Sequence, residues 1–387
     1  NDTHFSEIFC PQYMSPDDLL RYSKSDARIP NIQSEYAHIM GNSLGNFQDY
    51  WDVVENNPKL QGGFIWEWID QSSDNNFSVK GVVTAYREIT PMALEVKKAH
   101  QNIKTKFDGN TTVSIKNGFF FKNLDNVMLR WVLMENGIAK ENGAINTISL
   151  EPQTAKDFTL AIKTTQKADK EYQLNVYYSL KTEEPFLPKG YVIAEDQFVL
   201  KTLPATAFTP KSKKALQVKE TKENCTITGD KFEVVFDLKK GTMSGYSVQG
   251  EQFIEQGPKP SFWRAPTDND IGAGFNTSLR KWRNAYDNAS EVQGVVAKNT
   301  DGSVQVKFTT KLVDGEATHQ QVFTVYGDGS IKVDNEFTAI KGKNPLLLRA
   351  GNDLVINKKF NTINWYGRGP GENYWDRKTN TFIGQFK

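Results

Sequence analysis

Residues 29–54 read IPNIQSEYAHIMGNSLGNFQDYWDVV, and the alternation of types in this stretch sets the architecture of the first hundred residues. Ile29 to Tyr36 is a short extended run that carries a glutamate, Glu35, near its end. A helix is then expected to open at Ser43, with Phe47, Tyr50, Trp51 and Val54 on one face at i, i+3, i+4, i+7 spacing. Asn57-Pro58 stops it. Leu60 to Ile69 follows as an apolar strand introduced by Gly62-Gly63, and Pro91 starts another helical stretch, MALEVKKAHQN. Strand–helix–strand–helix order implies parallel strands joined by helical crossovers.

Beyond about residue 101 the rhythm changes. Thr112–Ile115, Val127–Met134 and Tyr172–Tyr178 alternate with a period of two, and NG, ENG and DG turns separate such runs. A Pro/Lys-rich stretch from Leu203 to Lys214 reads as a linker. A third region, again strand-rich, has hairpin signals at Gly229-Asp230, Lys239-Lys240-Gly241 and Gly327-Asp328-Gly329. The expected order is the end of an α/β barrel, a β-sandwich, and a larger β domain cut short.

Composition narrows the function classes. A chain of 387 residues is too long for one ordinary core. A net charge of +1 offers no general attraction for nucleic acid or an anionic membrane, so neither is an expected partner. No apolar run approaches the ~20 residues of a membrane-spanning helix. Cys10 and Cys225 are too few for a disulfide framework or a Cys/His zinc site. NDTHFSEIF at the start and TNTFIGQFK at the end both read as cut, so a fragment of a longer chain is expected.

Glu35 is the first candidate for chemistry. It sits at the C-terminal end of an expected parallel strand, and Tyr36, Ala37 and His38 follow it directly. In (β/α) barrels the open face is built from strand C-termini and the loops after them, so a glutamate there suits a nucleophile or an acid/base. A salt-bridged surface glutamate is the plain alternative. The same stretch holds a rival, since Gly41-Asn42-Ser43-Leu44-Gly45 fits the G-x-S-x-G elbow of serine hydrolases. That elbow needs the strand to run straight into the turn, whereas AHIM intervenes. It also needs a later acid and histidine, and downstream only His100 and His319 remain. Ser43 is therefore expected to cap the helix.

SEYAHIMGNSLGNFQDYW (34–51) with LQGGFIWEWIDQ (60–71) closely resembles the nucleophile region of the β-galactosidases of glycoside hydrolase family 2, the large multidomain bacterial type. FWRAPTDNDIG (Phe262–Gly272) and NWYGRGPGENYWDRK (Asn364–Lys378) resemble segments of that family's last β domain. The resemblance implies the C-terminal part of a (β/α)8 catalytic barrel over 1–100 and an immunoglobulin-like β-sandwich over 101–206. Residues 215–387 would be the N-terminal part of a large, truncated β-sandwich domain.

The resemblance also implies roles. Glu35 matches the nucleophile that forms a covalent glycosyl-enzyme, and Tyr13 the tyrosine hydrogen-bonded to it. His38 matches a sugar-contacting histidine, and Trp66 the wall beside C6 of galactose. Retaining hydrolysis needs a second carboxylate about 5–5.5 Å from the first. The family takes it from an Asn-Glu pair on an earlier strand; Asn335-Glu336 lies far downstream and is expected to be a decoy, and the family gives Glu67 and Asp70 no such role. The family's magnesium ligands are upstream too, so no cofactor and no complete metal site are expected in this chain. The asparagine of its sodium site is replaced by Lys80, which puts a sodium site near Phe77 in doubt, and the loop from Gln71 to Phe77 is short. Asp268, Asp270, Arg264, Glu372 and Arg377 are expected to form a structural network.

The expectation is thus a retaining β-galactosidase acting on β-galactosides such as lactose, assembled as a homo-oligomer, with the isolated 387 residues inactive. β-Glucuronidase and β-mannosidase are the nearest competitors within the family. Outside it stand a non-catalytic carbohydrate-binding or scaffolding chain, and a serine hydrolase using Ser43.

Overall fold

The structure, a computed structural model, describes residues 6–73, 78–203, 214–340 and 346–387. The chain is mostly β with few helices. It divides into two compact units, Asn1–Ala205 with Asn364–Lys387, and Thr206–Ile363. Most of the expected linker and Phe77 lie outside the described residues.

Helices α1 (Pro16–Lys24) and α2 (Phe47–Glu55) connect parallel elements. Strand β1 (Asn31–Tyr36) pairs in parallel with β2 (Leu60–Ile65). Its other edge takes parallel bridges from the preceding segment, Phe9 to Asn31 and Gln12 to Glu35. Helix α1 begins where Ser15 and Asp18 close a capping box: Ser15 Oγ accepts from Asp18 N at 3.1 Å, and the Asp18 carboxylate accepts from Ser15 N at 3.2 Å. Helix α3 (Pro91–Ala99) is capped by Thr90, whose Oγ1 accepts from Ala93 N at 3.2 Å. Tyr36, Ile39, Leu44, Phe47, Val82 and Ala99 form the core beneath these elements.

Two local expectations need correction. The helix starts at Phe47, and its cap position is Asn46 at φ 59°. Ser43 instead lies in a turn whose Asn46 amide donates to Asp376 O at 2.7 Å, so that amide is tied to a distant segment. Strand β2 ends at Ile65 rather than Ile69. From there the backbone changes partners: Glu67 N donates to Lys80 O at 3.1 Å and Val82 N to Glu67 O at 2.9 Å. Gly63 is needed inside β2, because a Cβ there would come within 2.8 Å of Gln33 Cβ on the paired strand.

The next seven strands are β3 (Ile103–Phe107), β4 (Thr112–Asn117), β5 (Val127–Glu135), β6 (Ile138–Ile145), β7 (Ala155–Thr159), β8 (Tyr172–Leu180) and β9 (Val192–Lys201). They form sheets of order β3-β4-β7 and β6-β5-β8-β9. The inward faces share one core, which includes Val113 and Ile115 from the first sheet and Leu129, Trp131, Leu174 and Val176 from the second. Each fully buried Leu or Val stabilises by roughly 1.5–3 kcal/mol. The β5–β6 turn is Asn136-Gly137 at φ 51° and 75°, the left-handed pair that matches strand twist in a two-residue hairpin.

In the second unit, β10 (Gln217–Glu220), β11 (Asn224–Thr228), β12 (Phe232–Asp237), β13 (Thr242–Val248) and β14 (Glu251–Ser261) lie in sequence order in one sheet. A second sheet holds β15 (Glu291–Lys298), β16 (Val304–Leu312), β17 (Ala317–Val325) and β18 (Ile331–Ala339). Strand β19 (Gly351–Ile356) returns to the first sheet beside β14. Ile227, Val234, Phe236, Val306, Phe308 and Phe323 fill the core between them. The expected turns at Gly229-Asp230, Lys239-Lys240-Gly241 and Gly327-Asp328-Gly329 fall between these strands. The final hairpin, β20 (Trp365–Gly369) with β21 (Phe382–Phe386), packs with the first unit.

Candidate active site

Glu35 lies one residue before the end of β1 and is half-buried. Two donors from the neighbouring extended segment take one carboxylate oxygen each. Tyr13 Oη donates to Glu35 Oε2 at 2.7 Å, and Gln12 Nε2 donates to Oε1 at 3.1 Å. Consecutive residues of an extended chain point to opposite sides. Tyr13 sits at φ 52°, which breaks the alternation and lets both side chains reach one carboxylate. The backbone is tied as well, since Tyr13 N donates to Glu35 O at 2.9 Å. Partial burial, then the bond to Glu35 and its charge, push the Tyr13 phenol up to about 12, so it stays a proton donor.

His38 and Trp66 lie close by. The Tyr13 and His38 rings are 6.3 Å apart between centroids. Trp66 is fixed at the strand end by its own backbone: its N–H donates to Tyr36 O, and its carbonyl accepts from Ile39 N, both at 3.0 Å. These two bonds bracket His38 in sequence. The His38 Nε2 atom is buried without a hydrogen-bond partner. Burial, then the Lys80 charge, hold the imidazole below its ordinary range, while Glu35 and Glu67 pull the other way. His38 therefore stands neutral at neutral pH with an unused ring nitrogen.

Lys80 is 4% exposed, and its ammonium lies 5.5 Å from the centre of the Trp66 ring, within cation–π range. Glu67, next to Trp66, has Oε1 buried without a partner. Asp70 is used structurally, with Oδ1 accepting from Gly81 N at 2.7 Å. Among the described residues no group of three or more His, Cys, Asp or Glu side chains is placed to hold a metal ion.

The remaining candidates fall elsewhere. Asn335 and Glu336 lie on β18 in the second unit, where Asn335 Oδ1 accepts from Gln321 and Glu336 is exposed. Arg264 pairs with Asp270, which also closes a capping box with Thr267. Burial works against the Asp270 charge, but hydrogen bonds from Arg264 and Thr267 hold its carboxyl below the ordinary range. Arg377 pairs with Glu372 in the first unit. Ser43 Oγ is buried with no hydrogen-bond partner, so no base touches it. The His100 ring packs against Phe47 and Trp51. Gln12 had no signal in the sequence, because only the bend at Tyr13 turns it toward Glu35.

Three family models match successive parts of the chain. They are the TIM barrel domain of glycosyl hydrolases family 2 over residues 10–75, beta-galactosidase domain 4 over 113–201, and the beta galactosidase small chain over 228–387. Among curated relatives, a beta-galactosidase of Priestia megaterium is 31% identical over 98% of this chain and 39% of its own length. One from Psychromonas ingrahamii is 30% identical over 92% of this chain and 38% of its own. One from Halalkalibacterium halodurans is 30% identical over 99% and 40%. The chain thus spans about two fifths of the length of these relatives.

Proposed function

Since this chain belongs to glycoside hydrolase family 2 and corresponds to the C-terminal portion of its β-galactosidases, we propose that it carries the nucleophile half of a retaining β-galactosidase site, with Glu35 as the attacking group. One observation carries this reading: a carboxylate at a parallel strand end whose two oxygens are each oriented by a separate donor. Glu35 attacks C1 of a β-galactoside such as lactose while an acid protonates the departing oxygen. Water then attacks the same carbon, and galactose leaves with overall retention. Tyr13 and Gln12 fix the carboxylate in line with C1. The neutral His38 ring, beside Tyr13, borders the sugar, and Trp66 walls the C6 side.

The acid/base, and magnesium as the family uses it, come from the part of the family's proteins that this chain does not span. Exposed apolar side chains in and just after β2, Phe64 at 67% and Trp68 at 66%, support further barrel strands covering this region. The isolated 387 residues should therefore show no turnover of an aryl β-galactoside, while the full-length protein does. Turnover by the isolated chain that Glu35→Gln abolishes would sink the two-part reading. The intact enzyme is a homo-oligomer on this view.

A sodium ion does not fit where Lys80 stands. A buried ammonium already stands against the Trp66 ring, and a second cation there would face its repulsion. Lys80 supplies the positive charge instead. Activity of the full-length protein should then change less than about twofold when sodium and potassium are replaced by a bulky organic cation at constant ionic strength. A strong sodium or potassium requirement would contradict the Lys80 reading. The serine hydrolase alternative lacks a base at Ser43, and a fluorophosphonate should leave that residue unlabelled. Galactose binding without covalent labelling would favour the scaffold alternative.

A further inference from the structure

The turn that follows Glu35 is held in a conformation its own residues disfavour. Ala37 and Leu44 lie at φ 52° and 65°, while Asn46 and Gly41, whose types tolerate the region, lie at 59° and 69°. Residues with a Cβ persist in the left-handed region only when their surroundings hold them there. Bonds within the turn supply little of that hold. Ser43 Oγ has no partner, and the Asn46 side chain bonds forward to Asp49 rather than capping α2.

The hold comes from a segment 335 residues later in the chain. Arg377 Nη2 donates to Asn42 Oδ1 at 2.6 Å and to Glu372 Oε1 at 2.7 Å. The Asn46 amide is tied to Asp376, as described above. The Asp376 carboxylate also occupies the place a Cβ on Gly45 would take, at 1.9 Å. Arg377 is 4% exposed, and its guanidinium carbon lies 5.2 Å from the Tyr374 ring centre. The segment is anchored in turn by buried Glu95 of α3, which accepts from Thr379 N at 3.1 Å and Asn380 N at 3.0 Å. From the turn, a contact path leads back to β1. Phe47 stacks on Tyr36 at 5.8 Å, Trp51 Nε1 donates to Tyr36 Oη at 3.1 Å, and Tyr36 is the neighbour of Glu35.

We propose that Arg377 is a positioning residue for Glu35: through Asn42 it fixes the 41–46 turn, and with it the strand end that presents Glu35 and His38. This rests on the reading of Glu35 as nucleophile. The Arg377 Nη1 atom is buried without a hydrogen-bond partner, so the guanidinium is held in place by its Nη2 bonds to Asn42 and Glu372.

The test uses the full-length protein and four variants: Arg377→Met, Asn42→Ala, the two combined, and Arg377→Lys. The readout is the rate at which a 2-deoxy-2-fluoro galactoside with an activated leaving group labels Glu35, at a temperature where circular dichroism shows each variant folded. Arg377→Met and Asn42→Ala should each slow labelling by about ten- to a hundredfold, with the saturating concentration little changed. The double variant should be no slower than Arg377→Met, because both act along one path. Arg377→Lys should recover part of the rate. Labelling of folded Arg377→Met within about twofold of the unmodified protein, or effects that multiply in the double variant, would overturn the proposal. Should Arg377→Met fail to fold, Asn42→Ala carries the same test, since it leaves the Arg377–Glu372 pair intact. An unmodified protein that takes no label on Glu35 overturns the nucleophile reading instead.

Discussion

Glu35→Gln in the full-length protein is expected to lower turnover of an aryl β-galactoside by at least about 10⁴-fold, or roughly 5.5 kcal/mol of transition-state stabilisation. The amide keeps the shape of the carboxylate and can still meet the Tyr13 hydroxyl and the Gln12 amide. It does not attack C1, so the covalent intermediate is lost while the fold is kept. Steady-state kinetics beside thermal unfolding separates the two effects. Glu35→Ala sharpens the test, because azide can enter the space the carboxylate leaves. Its nitrogen bonds C1 as the leaving oxygen departs from the opposite face, and α-galactosyl azide results. Rescue with that stereochemistry marks Glu35 as the nucleophile, whereas a Glu35 that only supported the site would give no azide product.

Gly81→Ala is expected to destabilise the first unit by about 3 kcal/mol or more. A Cβ on Gly81 would come within 2.1 Å of Asp70 N, 2.4 Å of Ile69 C and 2.5 Å of Val83 O. All three are backbone atoms, so no side-chain rotation relieves the clash. The shift would also break the 2.7 Å bond from Gly81 N to Asp70 and disturb the pairing of 67–71 with 78–83 that seats Trp66 and Lys80. Gly272→Ala is the control: nothing lies within 4 Å of the added methyl, and its effect should stay within about 0.5 kcal/mol. Urea unfolding of the two variants measures the difference. A Gly81→Ala chain as stable as the control would mean that this close approach of backbones is absent.

Much of the fold was legible because its signals are local. The face of Phe47, Tyr50, Trp51 and Val54 located α2, and Asn136-Gly137 announced the β5–β6 hairpin through the left-handed turn it favours. The boundaries that moved are those where a distant segment competes for backbone groups. Ser43 had the chemistry of a helix cap, but the Asn46 amide is taken by Asp376, and the helix opens later. Leu60–Ile69 read as one strand by hydropathy, yet from Glu67 onward its bonds go to residues 80–83.

The candidate site divides in the same way. Glu35 stood out by its place at a strand end, and Tyr13, His38 and Trp66 were named by resemblance. Gln12 and Arg377 owe their roles to tertiary geometry: a bend at Tyr13 for one and a contact across 335 residues for the other. Asn364–Lys378 was read only by resemblance, as part of the last β domain, and nothing in its sequence says that the hairpin of β20 and β21 packs with the first unit. That packing is what brings Arg377 to Asn42.

As the proposed nucleophile, Glu35 should bond covalently to the sugar. Inactivating the full-length protein with a 2-deoxy-2-fluoro β-galactoside and mapping the modified peptide tests this directly. Residues 30–42 contain Glu35 as their one carboxylate. A single glycosylated peptide within that stretch is expected, with the added mass on Glu35. Inactivation with the label on any other residue, or no covalent label while activity persists, would contradict the nucleophile reading.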